Sequence, residues 1–425
     1  MTAAGTLIDQ SWIGPVPDHW AVEPMARWFR ERKTTVSDVD FAPLSVTMQG
    51  IVPQLEHVAK SENNSNRKLV RAGDFAINSR SDRKGAAGVS KLDGSVSVIT
   101  TVLEPRGLDA RFTHYLLRSK PFQEEFYRWG HGIVDDLWST KWMDMKSIKI
   151  PVPPPSDQQA IADYLDRETA RIDAFIAKNE ELFALLTERR AAAIAAAVTR
   201  GLDVRVKLQD TGLNWAERVP AHWRVGNIRR FATMKTGHTP SRQRAEYWVD
   251  CHIPWFTLAD VWQLREGRRE MSETAETISN VGLANSAADL LPAGTVALSR
   301  TASVGFAGVM ATAMATSQDF WNWVPRDGLV SEYLWYNFQA MRSEFDRLMT
   351  GSTHRTIYQA DAASLTILVP PVSEQSEIVA HLDTITKKID EAVQQARRAI
   401  QLARERRAAL ISAAVTGKID VGVAA

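Results

Sequence analysis

The chain contains one stretch of sequence twice, and this duplication limits the folds open to it more than any other feature. The first copy runs from Pro154 to Val204 and the second from Pro371 to Val421, at a constant offset of 217 residues without a gap. The two copies are identical at 22 of 51 aligned positions. The chain is therefore two versions of one unit, and its function must explain why two are needed.

Both copies are predicted to be long helices. Apolar and small residues recur at spacings of three and four, for example Ile161, Leu165 and Ile172 in the first copy and Ile378 and Leu382 in the second. About 45 residues rising 1.5 Å each give a helix of roughly 65 Å. A lone helix cannot bury such a stripe, so we predict that the two copies pack on each other as an antiparallel coiled coil.

The duplication extends beyond the helices. The pattern W-x3-V-P-x-H-W occurs at Trp12–Trp20 and again at Trp215–Trp223. Each unit is therefore this motif, a variable region and a long helix. No cluster of catalytic or metal-binding residue types accompanies His19 or His222, so we predict that both histidines have packing or capping roles.

The first variable region contains a basic, polar loop. Between Arg67 and Lys91 there are seven basic residues and two acidic ones, and Asn78-Ser-Arg-Ser-Asp-Arg-Lys-Gly85 lies in the middle. Such side chains can hydrogen-bond base edges or phosphates, although an ordinary solvated loop fits equally well. The surrounding pattern predicts strands at Phe41–Met48, Asp74–Asn78 and Val96–Leu103 and a helix at Phe112–Trp129, before the glycine-punctuated Gly130–Leu137.

The second variable region differs from the first in its motifs. It carries Lys235-Thr-Gly-His-Thr-Pro-Ser-Arg242, followed by Trp248, Trp255 and Trp262, and later Gly351-Ser-Thr-His-Arg-Thr-Ile357. Cations interleaved with aromatics suggest nucleic acid, but tryptophans at these spacings are as often core residues. Ala293–Arg300 repeats the pattern of Ala72–Arg80 one residue shorter, which predicts that both variable regions share a fold and differ in their loops.

Composition and absent motifs limit the function classes. The chain has 51 Lys and Arg against 50 Asp and Glu, so any nucleic-acid surface must be local. Its one cysteine, Cys251, excludes a disulfide framework, and no signal peptide or long apolar run is present, which predicts a cytoplasmic protein. No P-loop, base-methyltransferase, dinucleotide-binding, zinc-protease or serine-hydrolase signature occurs. Binding without catalysis is therefore favoured over an enzyme.

The whole order of motifs resembles the DNA specificity (S) subunit of a type I restriction–modification system. The most specific similarities are Gly237-His-Thr-Pro-Ser241, Tyr247-Trp248, Ile253-Pro-Trp255, Gly351-Ser-Thr353 and the paired Pro-Pro-Ser-Asp-Gln158 and Pro-Val-Ser-Glu-Gln375. The chain departs from the family pattern at Asp157, where the family usually has Glu. Its first variable region also lacks the G-x-T-P-S and G-S-T signatures.

The resemblance implies an α+β fold with two similar, β-rich target recognition domains separated by two long helices in a pseudo-twofold repeat. The domains would be residues 1–150 and 205–369, and the spacer helices 151–204 and 370–425. It also implies a bipartite, asymmetric double-stranded DNA target with one half-site per domain. Two methyltransferase (M) subunits would dock on the helices, and restriction/motor (R) subunits would complete the complex. S-adenosylmethionine and ATP with Mg²⁺ would bind those partners, and this chain would hold no cofactor or metal.

Two other classes of function remain open: a coiled-coil protein–protein adaptor with two duplicated lobes, and a nuclease with dispersed carboxylates. For DNA contact, the loops predict twelve residues, none of them catalytic. They are Asn78, Arg80, Arg83, Lys84 and His131 in the first region, and Thr239, Ser241, Arg242, Arg300, Ser352, Thr353 and Arg355 in the second.

Overall fold

The computed structural model describes residues 12–54, 66–132, 138–301, 303–349 and 356–421. The chain divides into two compact units. The first unit comprises Met1–Glu180 and Arg397–Ala425, and the second comprises Glu181–Ala396. The division falls inside both long helices, so each unit contains part of each helix.

The first unit contains eleven described strands and four short helices before the first long helix. The strands are β1 (Ala21–Pro24), β2 (Phe29–Glu31), β3 (Thr35–Val36), β4 (Leu44–Thr47), β5 (Gly50–Pro53), β6 (Arg67–Val70), β7 (Phe75–Asn78), β8 (Ala87–Val89), β9 (Gly94–Val96), β10 (Thr100–Pro105) and β11 (Lys149–Val152). The helices are α1 (Met25–Trp28), α2 (Ala110–Arg118), α3 (Lys120–Arg128), α4 (Trp142–Met145) and the long α5 (Pro155–Arg200), whose last residues belong to the second unit.

The second unit repeats much of this order but begins with an additional hairpin and has different elements in its middle. Its described strands are β12 (Leu208–Leu213), β13 (Ala216–Pro220), β14 (Arg224–Asn227), β15 (Ala232–Thr236), β16 (Ile253–Phe256), β17 (Glu270–Met271), β18 (Glu276–Ile278), β19 (Val296–Ser299), β20 (Ala307–Met310), β21 (Ala315–Thr316), β22 (Phe320–Pro325) and β23 (Thr366–Val369). Its helices are α6 (Trp262–Arg265), α7 (Asn280–Ala284), α8 (Ser331–Ala340), α9 (Arg342–Met349), α10 (Gln359–Ser364) and the long α11 (Val372–Val415), whose last residues belong to the first unit.

The main sheets of the two units have matching topology. Their strand orders are β2-β10-β7-β8 in the first unit and β15-β22-β19-β20-β17 in the second. The strands from the similar sequences, β7 and β19, occupy the same place in the two sheets and pair antiparallel with β10 and β22. The predicted common fold of the variable regions is thereby confirmed, as is the α+β class with its internal repeat.

The long helices run antiparallel within each unit. In the first unit, Ile161 and Leu165 of α5 belong to the same core as Ile411 and Val415 of α11. In the second, the equivalent Ile378 and Leu382 of α11 join Ile194 and Val198 of α5. Each helix therefore buries its N-terminal end against the C-terminal end of its copy, as the apolar stripe predicted.

Ion pairs between the helices repeat with the same symmetry. Arg407 binds Asp173 with its Nε 2.8 Å from Oδ1 in the first unit, and Arg190 binds Asp390 at 2.9 Å in the second. Both carboxylates are half exposed, so each pair contributes about 0.2–1 kcal/mol at most. Burial at the helix ends is therefore the larger contribution to the pairing.

The start of each long helix is tied to its unit by a glutamine. Gln158 accepts a hydrogen bond from the Asp109 N–H at 2.7 Å and donates to the Pro153 carbonyl at 2.9 Å. Gln375 repeats this with the Val330 N–H and the Pro370 carbonyl, at 2.8 and 2.9 Å. These contacts explain why the Pro-Pro-Ser-Asp-Gln and Pro-Val-Ser-Glu-Gln motifs share the glutamine.

Two predicted elements are each divided in two. The stretch Val96–Leu103 is not one strand, because a turn at residues 97–99 separates β9 from β10. The stretch Phe112–Trp129 is two helices, because the chain is extended at Ser119, where the side chain caps α3 by accepting from the Phe122 N–H. In the described part of the chain, no helix combines the length and apolar character needed to span a membrane.

Candidate nucleic-acid interface

The basic loop of the first unit borders a groove. Asn78, Arg80 and Arg83 line it together with β4, the nearby Met48 and Gln54, and the turn between β9 and β10. The groove has a volume of about 470 Å³. Three of the twelve predicted contact residues are thereby brought to one concave surface.

Within this groove, Asn78 and Arg80 have different environments. Asn78 is buried, and its Oδ1 accepts a hydrogen bond from the backbone N–H of Arg80 at 3.0 Å. Arg80 itself is exposed. Asn78 therefore orders the start of the loop, and Arg80 is the side chain that the loop presents to solvent.

Arg83 and Lys84 extend the cationic surface. Arg83 ends a short 3₁₀ turn at Ser81–Arg83 and is exposed, while the Lys84 ammonium lies 5.1 Å from the ring centre of Tyr127. The Tyr127 hydroxyl accepts from the Gly85 N–H at 3.3 Å, and burial raises the pKa of this phenol. The stack fixes the position of Lys84 without neutralising it, because a neutral ring supplies no counter-charge.

His131 lies at the end of a short backbone ladder. Its N–H and carbonyl both pair with Ser139 at 3.0 Å, and its ring Nε2 is 3.6 Å from a carboxylate oxygen of Asp144. The ring is exposed, as a base- or phosphate-contacting residue requires. The remainder of the Gly130–Leu137 loop, residues 133–137, lies outside the described residues.

In the second unit, the Gly237–Arg242 motif packs against the segment that precedes β22. Gly237 is required here, because a Cβ at this position would lie 2.1 Å from the Thr316 carbonyl oxygen and 2.2 Å from that of Ser317. The close approach lets the His238 N–H donate to the Thr316 carbonyl at 3.0 Å. Thr239 then donates through its hydroxyl to Oε1 of Gln318 at 2.7 Å.

Ser241 and Arg242 form part of an aromatic cluster. The Arg242 guanidinium lies 4.3 Å from the ring centre of Trp248 and binds Glu276 at 2.6 Å. The Trp248 indole donates to the Ser241 carbonyl at 3.1 Å. Both Ser241 and Arg242 are exposed, and the stacking holds the Arg242 side chain at the surface.

Arg300 lies at the end of β19, where Arg80 follows β7. Its guanidinium stacks 4.4 Å from the ring centre of Trp321, and its buried Nε has no hydrogen-bond partner among the described residues. Its backbone carbonyl accepts from the Ile357 N–H at 3.0 Å. Ser352, Thr353 and Arg355, which precede Ile357 in the chain, lie outside the described residues.

Arg80 and Arg300 thus lie just beyond equivalent strands, one residue apart in register. Asn78 pairs with Thr100 and Ser299 with Phe320, each at the start of the neighbouring strand, so Arg300 corresponds to Ser79. The Ser79 carbonyl accepts from the Thr140 N–H at 2.9 Å, as the Arg300 carbonyl accepts from the Ile357 N–H. After each glycine-containing loop the chain therefore returns to the same place in the fold, although only the second loop has the G-S-T signature. Among the described residues, no group of His, Cys, Asp and Glu is arranged to hold a metal ion.

The sequence prediction did not include Gln318 in the second unit or Val98 in the first. Both are exposed residues in the turn before the strand that pairs with β19 or β7. Neither carries a charge or belongs to a motif. Only the division of Val96–Leu103 into two strands reveals the turn in the first unit.

The chain is similar to specificity proteins of type I restriction enzymes. Residues 220–400 match the family model described as the type I restriction modification DNA specificity domain. The specificity subunit of the type I restriction enzyme MjaIX from Methanocaldococcus jannaschii is 29% identical over 42% of this chain and 41% of that protein. The EcoR124I/EcoR124II specificity subunit from Escherichia coli is 25% identical over 67% of this chain and 65% of that protein.

The fold is also found in a solved structure. A chain from a structural study of complex assembly and conformational transition of the type I R-M system matches with a TM-score of 0.74. The match has 17% identity and covers 95% of this chain and 100% of that one. The resemblance to the specificity subunits is thereby confirmed, and it is strongest over residues 220–400, which match the family model. The matches to the two curated relatives span 41% and 65% of their lengths.

Proposed function

We propose that the chain is the sequence-specific DNA-recognition subunit of a type I restriction–modification complex. It binds a bipartite, asymmetric site in the cytoplasm, with one half-site for each unit. The observation that carries this proposal is an arginine just beyond each of two equivalent strands, Arg80 after β7 and Arg300 after β19. Arginine at such a position suits bidentate contact with guanine or a charge-assisted contact with phosphate.

The asymmetry of the site follows from the loops. The first unit presents Arg80, Arg83 and Lys84 around a groove, whereas the second presents Thr239 and the Arg242 stack. Because these donors and shapes differ, the two half-sites should differ in sequence. If the two units were identical, the DNA site would have to be a palindrome.

The long helices suit the docking of partner proteins. Phe175 and Leu402 are 49% and 56% exposed in the first unit, and Leu182 and Leu185 are 44% and 56% exposed in the second. Contiguous exposed apolar surface marks protein interfaces, and Phe175 and Leu402 line one cleft together with Ile172 and Ala399. We propose two methyltransferase subunits as the occupants, with restriction/motor subunits joining the full complex.

In this proposal the chain binds DNA and carries out no reaction itself. Methyl transfer from S-adenosylmethionine and ATP- and Mg²⁺-dependent cleavage belong to the partner subunits. The alternative is a protein–protein adaptor with two duplicated lobes. An adaptor would use the same helices to bind partner proteins, but Arg80 and Arg300 would then have no ligand.

Methylation mapping tests the proposal. The chain is co-expressed with its methyltransferase subunits in a methylation-free host, and modified bases are mapped across the genome. The expected result is one motif made of two different half-sequences with a fixed gap. Replacing both Arg80 and Arg300 with alanine should relax one position in each half-sequence. A complex that forms but methylates no defined motif would exclude sequence recognition and favour the adaptor.

A further inference from the structure

The two units share a turn that none of the recognised motifs contains. In the first unit, residues 97–99 join β9 to β10, and in the second, residues 317–319 join β21 to β22. Since β10 and β22 occupy the same place in their sheets, the two turns are equivalent. Val98 and Gln318 are the central residues of these turns.

The turn of the second unit is held rigidly by its neighbours. Asp319 accepts from the hydroxyl of Thr301 at 2.6 Å and from that of Ser317 at 2.9 Å. The Asp319 carbonyl also accepts from the Arg300 N–H at 2.9 Å. Ser317 is buried by its packing, so Gln318 is the side chain that this turn presents to solvent.

The turn of the first unit is anchored at both sides. The Thr100 N–H donates to the Ser97 carbonyl at 2.9 Å, and the Ser79 hydroxyl donates to the Ile99 carbonyl at 2.7 Å. Ser97 and Ile99 line the groove that contains Arg80, and Val98 between them is 47% exposed. An apolar side chain at the rim of a cationic groove has no role in packing the core.

The chemistry of the two side chains differs. The Thr239 hydroxyl donates to the Gln318 carbonyl oxygen, which leaves both amide N–H groups of Gln318 available as donors. In the major groove, N7 and O6 of guanine, N7 of adenine and O4 of thymine are acceptors. Val98 offers only a methyl surface, which matches the C5 methyl group of thymine.

From this placement we propose that Gln318 and Val98 are equivalent base-reading residues, one in each half-site. Gln318 donates to an acceptor on a base edge, and Thr239 is the residue that positions its amide. Val98 contacts the methyl group of a thymine. This inference rests on the proposed function, because it names which side chains distinguish bases within the DNA-binding surface.

The test selects preferred sequences from a randomised duplex DNA library. The full chain is used in complex with its methyltransferase subunits, as wild type and as the Gln318→Ala, Gln318→Glu and Val98→Ala variants. Val204→Ala serves as the control, since Val204 is 97% exposed and lies outside both turns. Urea denaturation of each variant checks that the fold is retained.

Gln318→Ala should reduce discrimination at one position of one half-site by about 5- to 100-fold and leave the other half-site unchanged. Gln318→Glu replaces a donor with an acceptor, so the same position should now favour a base that presents an amino group. Replacing the contacted thymine with deoxyuridine should weaken the wild type by about four-fold and leave Val98→Ala unaffected.

The outcomes separate the two proposals. If the wild type selects no motif, the proposed function fails. The wild type could instead select a bipartite motif, with the Gln318 and Val98 variants selecting the same bases at the same stringency. The proposed function would then stand, and base reading by Gln318 and Val98 would be excluded.

Discussion

The imidazole Nε2 of His222 lies 2.8 Å from the carboxylate Oε2 of Glu374, in the first turn of the long helix α11. The neighbouring Trp223 indole donates to the other oxygen of the same carboxylate at 3.0 Å. In the first unit His19 and Trp20 likewise bind Asp157, at 2.8 and 3.2 Å, but both contact the same oxygen, Oδ2. The W-x3-V-P-x-H-W motif therefore binds the acidic residue at the start of each helix, in line with the structural role predicted for the histidines.

Removing the carboxylate of Asp157 should destabilise the first unit. Burial alone would raise the pKa of Asp157, but the hydrogen bonds from His19, Trp20 and Ser156 outweigh it and lower the pKa. Asp157→Asn should therefore reduce the free energy of unfolding by about 1–3 kcal/mol, measured by urea denaturation at pH 7. The effect should be full above pH 3.8, the pKa in the unfolded chain, and should fade as the pH falls through the lower pKa of the folded state, where the wild-type carboxylate becomes protonated. An equally large effect at low pH would contradict the ionic role.

A second pH dependence should come from His114. Burial, followed by the charge of Arg118, lowers the pKa of this imidazole from 6.5 to about 4. The unfolded chain therefore binds a proton between these values that the folded chain does not. The free energy of unfolding should fall with decreasing pH across this window, by up to about 1.4 kcal/mol per pH unit. Comparing denaturation of the wild type and His114→Gln from pH 4 to 7 measures the contribution, and parallel curves would contradict it.

Gly237→Ala should damage recognition by the second unit. The added Cβ would meet the Thr316 and Ser317 carbonyl oxygens, so the segment must move and the Thr239–Gln318 hydrogen bond should break. We expect the free energy of unfolding to fall by at least about 2 kcal/mol. The sequence preference at one half-site should also be lost. Gly226→Ala is the matched control, because its Cβ would make ordinary contacts at 3.5 Å or more. Equal effects of the two substitutions on half-site preference would contradict the explanation.

Alanine at Arg80 should relax one position of the first half-site. If Arg80 reads a base, the cognate site should lose about 1–3 kcal/mol of binding free energy and non-cognate DNA almost nothing. Lys84→Ala is the comparison, because its stacked ammonium suits phosphate contact. It should weaken all sequences alike and lessen the salt dependence of binding. Binding of both variants is measured by titrating labelled duplexes at several salt concentrations. If Arg80→Ala weakened all sequences alike and Lys84→Ala relaxed one position, Lys84 would be the base-reading residue and Arg80 the phosphate contact.

Insertion of four residues between Glu180 and Thr187 should change the gap between the half-sites. One helical turn adds about 6 Å, which corresponds to roughly two base pairs. Both half-sequences should persist, since the reading loops are untouched. Methylation mapping of the variant measures the gap. Retention of the wild-type gap would show that the helices do not set the spacing.

The repeat and the helix pairing could be predicted because they rest on periodic patterns at a constant offset. Ile161, Leu165 and their copies are identical in type and are buried in both units. The turn at Val98 could not be predicted, because Ser97-Val-Ile-Thr100 continues a β-branched run and contains no glycine, proline, asparagine or aspartate. The anchoring bonds come instead from distant residues such as Ser79.

The candidate site was predictable to a similar extent. Arg80 and Arg300 were identified because their strands repeat, and the structure puts both just beyond equivalent strands, one residue apart in register. The stacking partners could not be predicted from the sequence, because Tyr127 is 43 residues from Lys84 and gives no local signal. Pairings of this kind depend on how strands and helices pack, which the loop sequence does not encode.

The first unit is discontinuous in the chain, and this affects the order in which the protein can fold during synthesis. Its core requires Ile411, Ala414 and Val415, which follow the whole of the second unit. At about 5–20 residues per second, a ribosome needs roughly 10 to 50 s to reach these residues after Glu180. The second unit is contiguous, so it can complete its core earlier. The unit that begins first is therefore completed last, and until then Ile161 and Leu165 lack their helical partner.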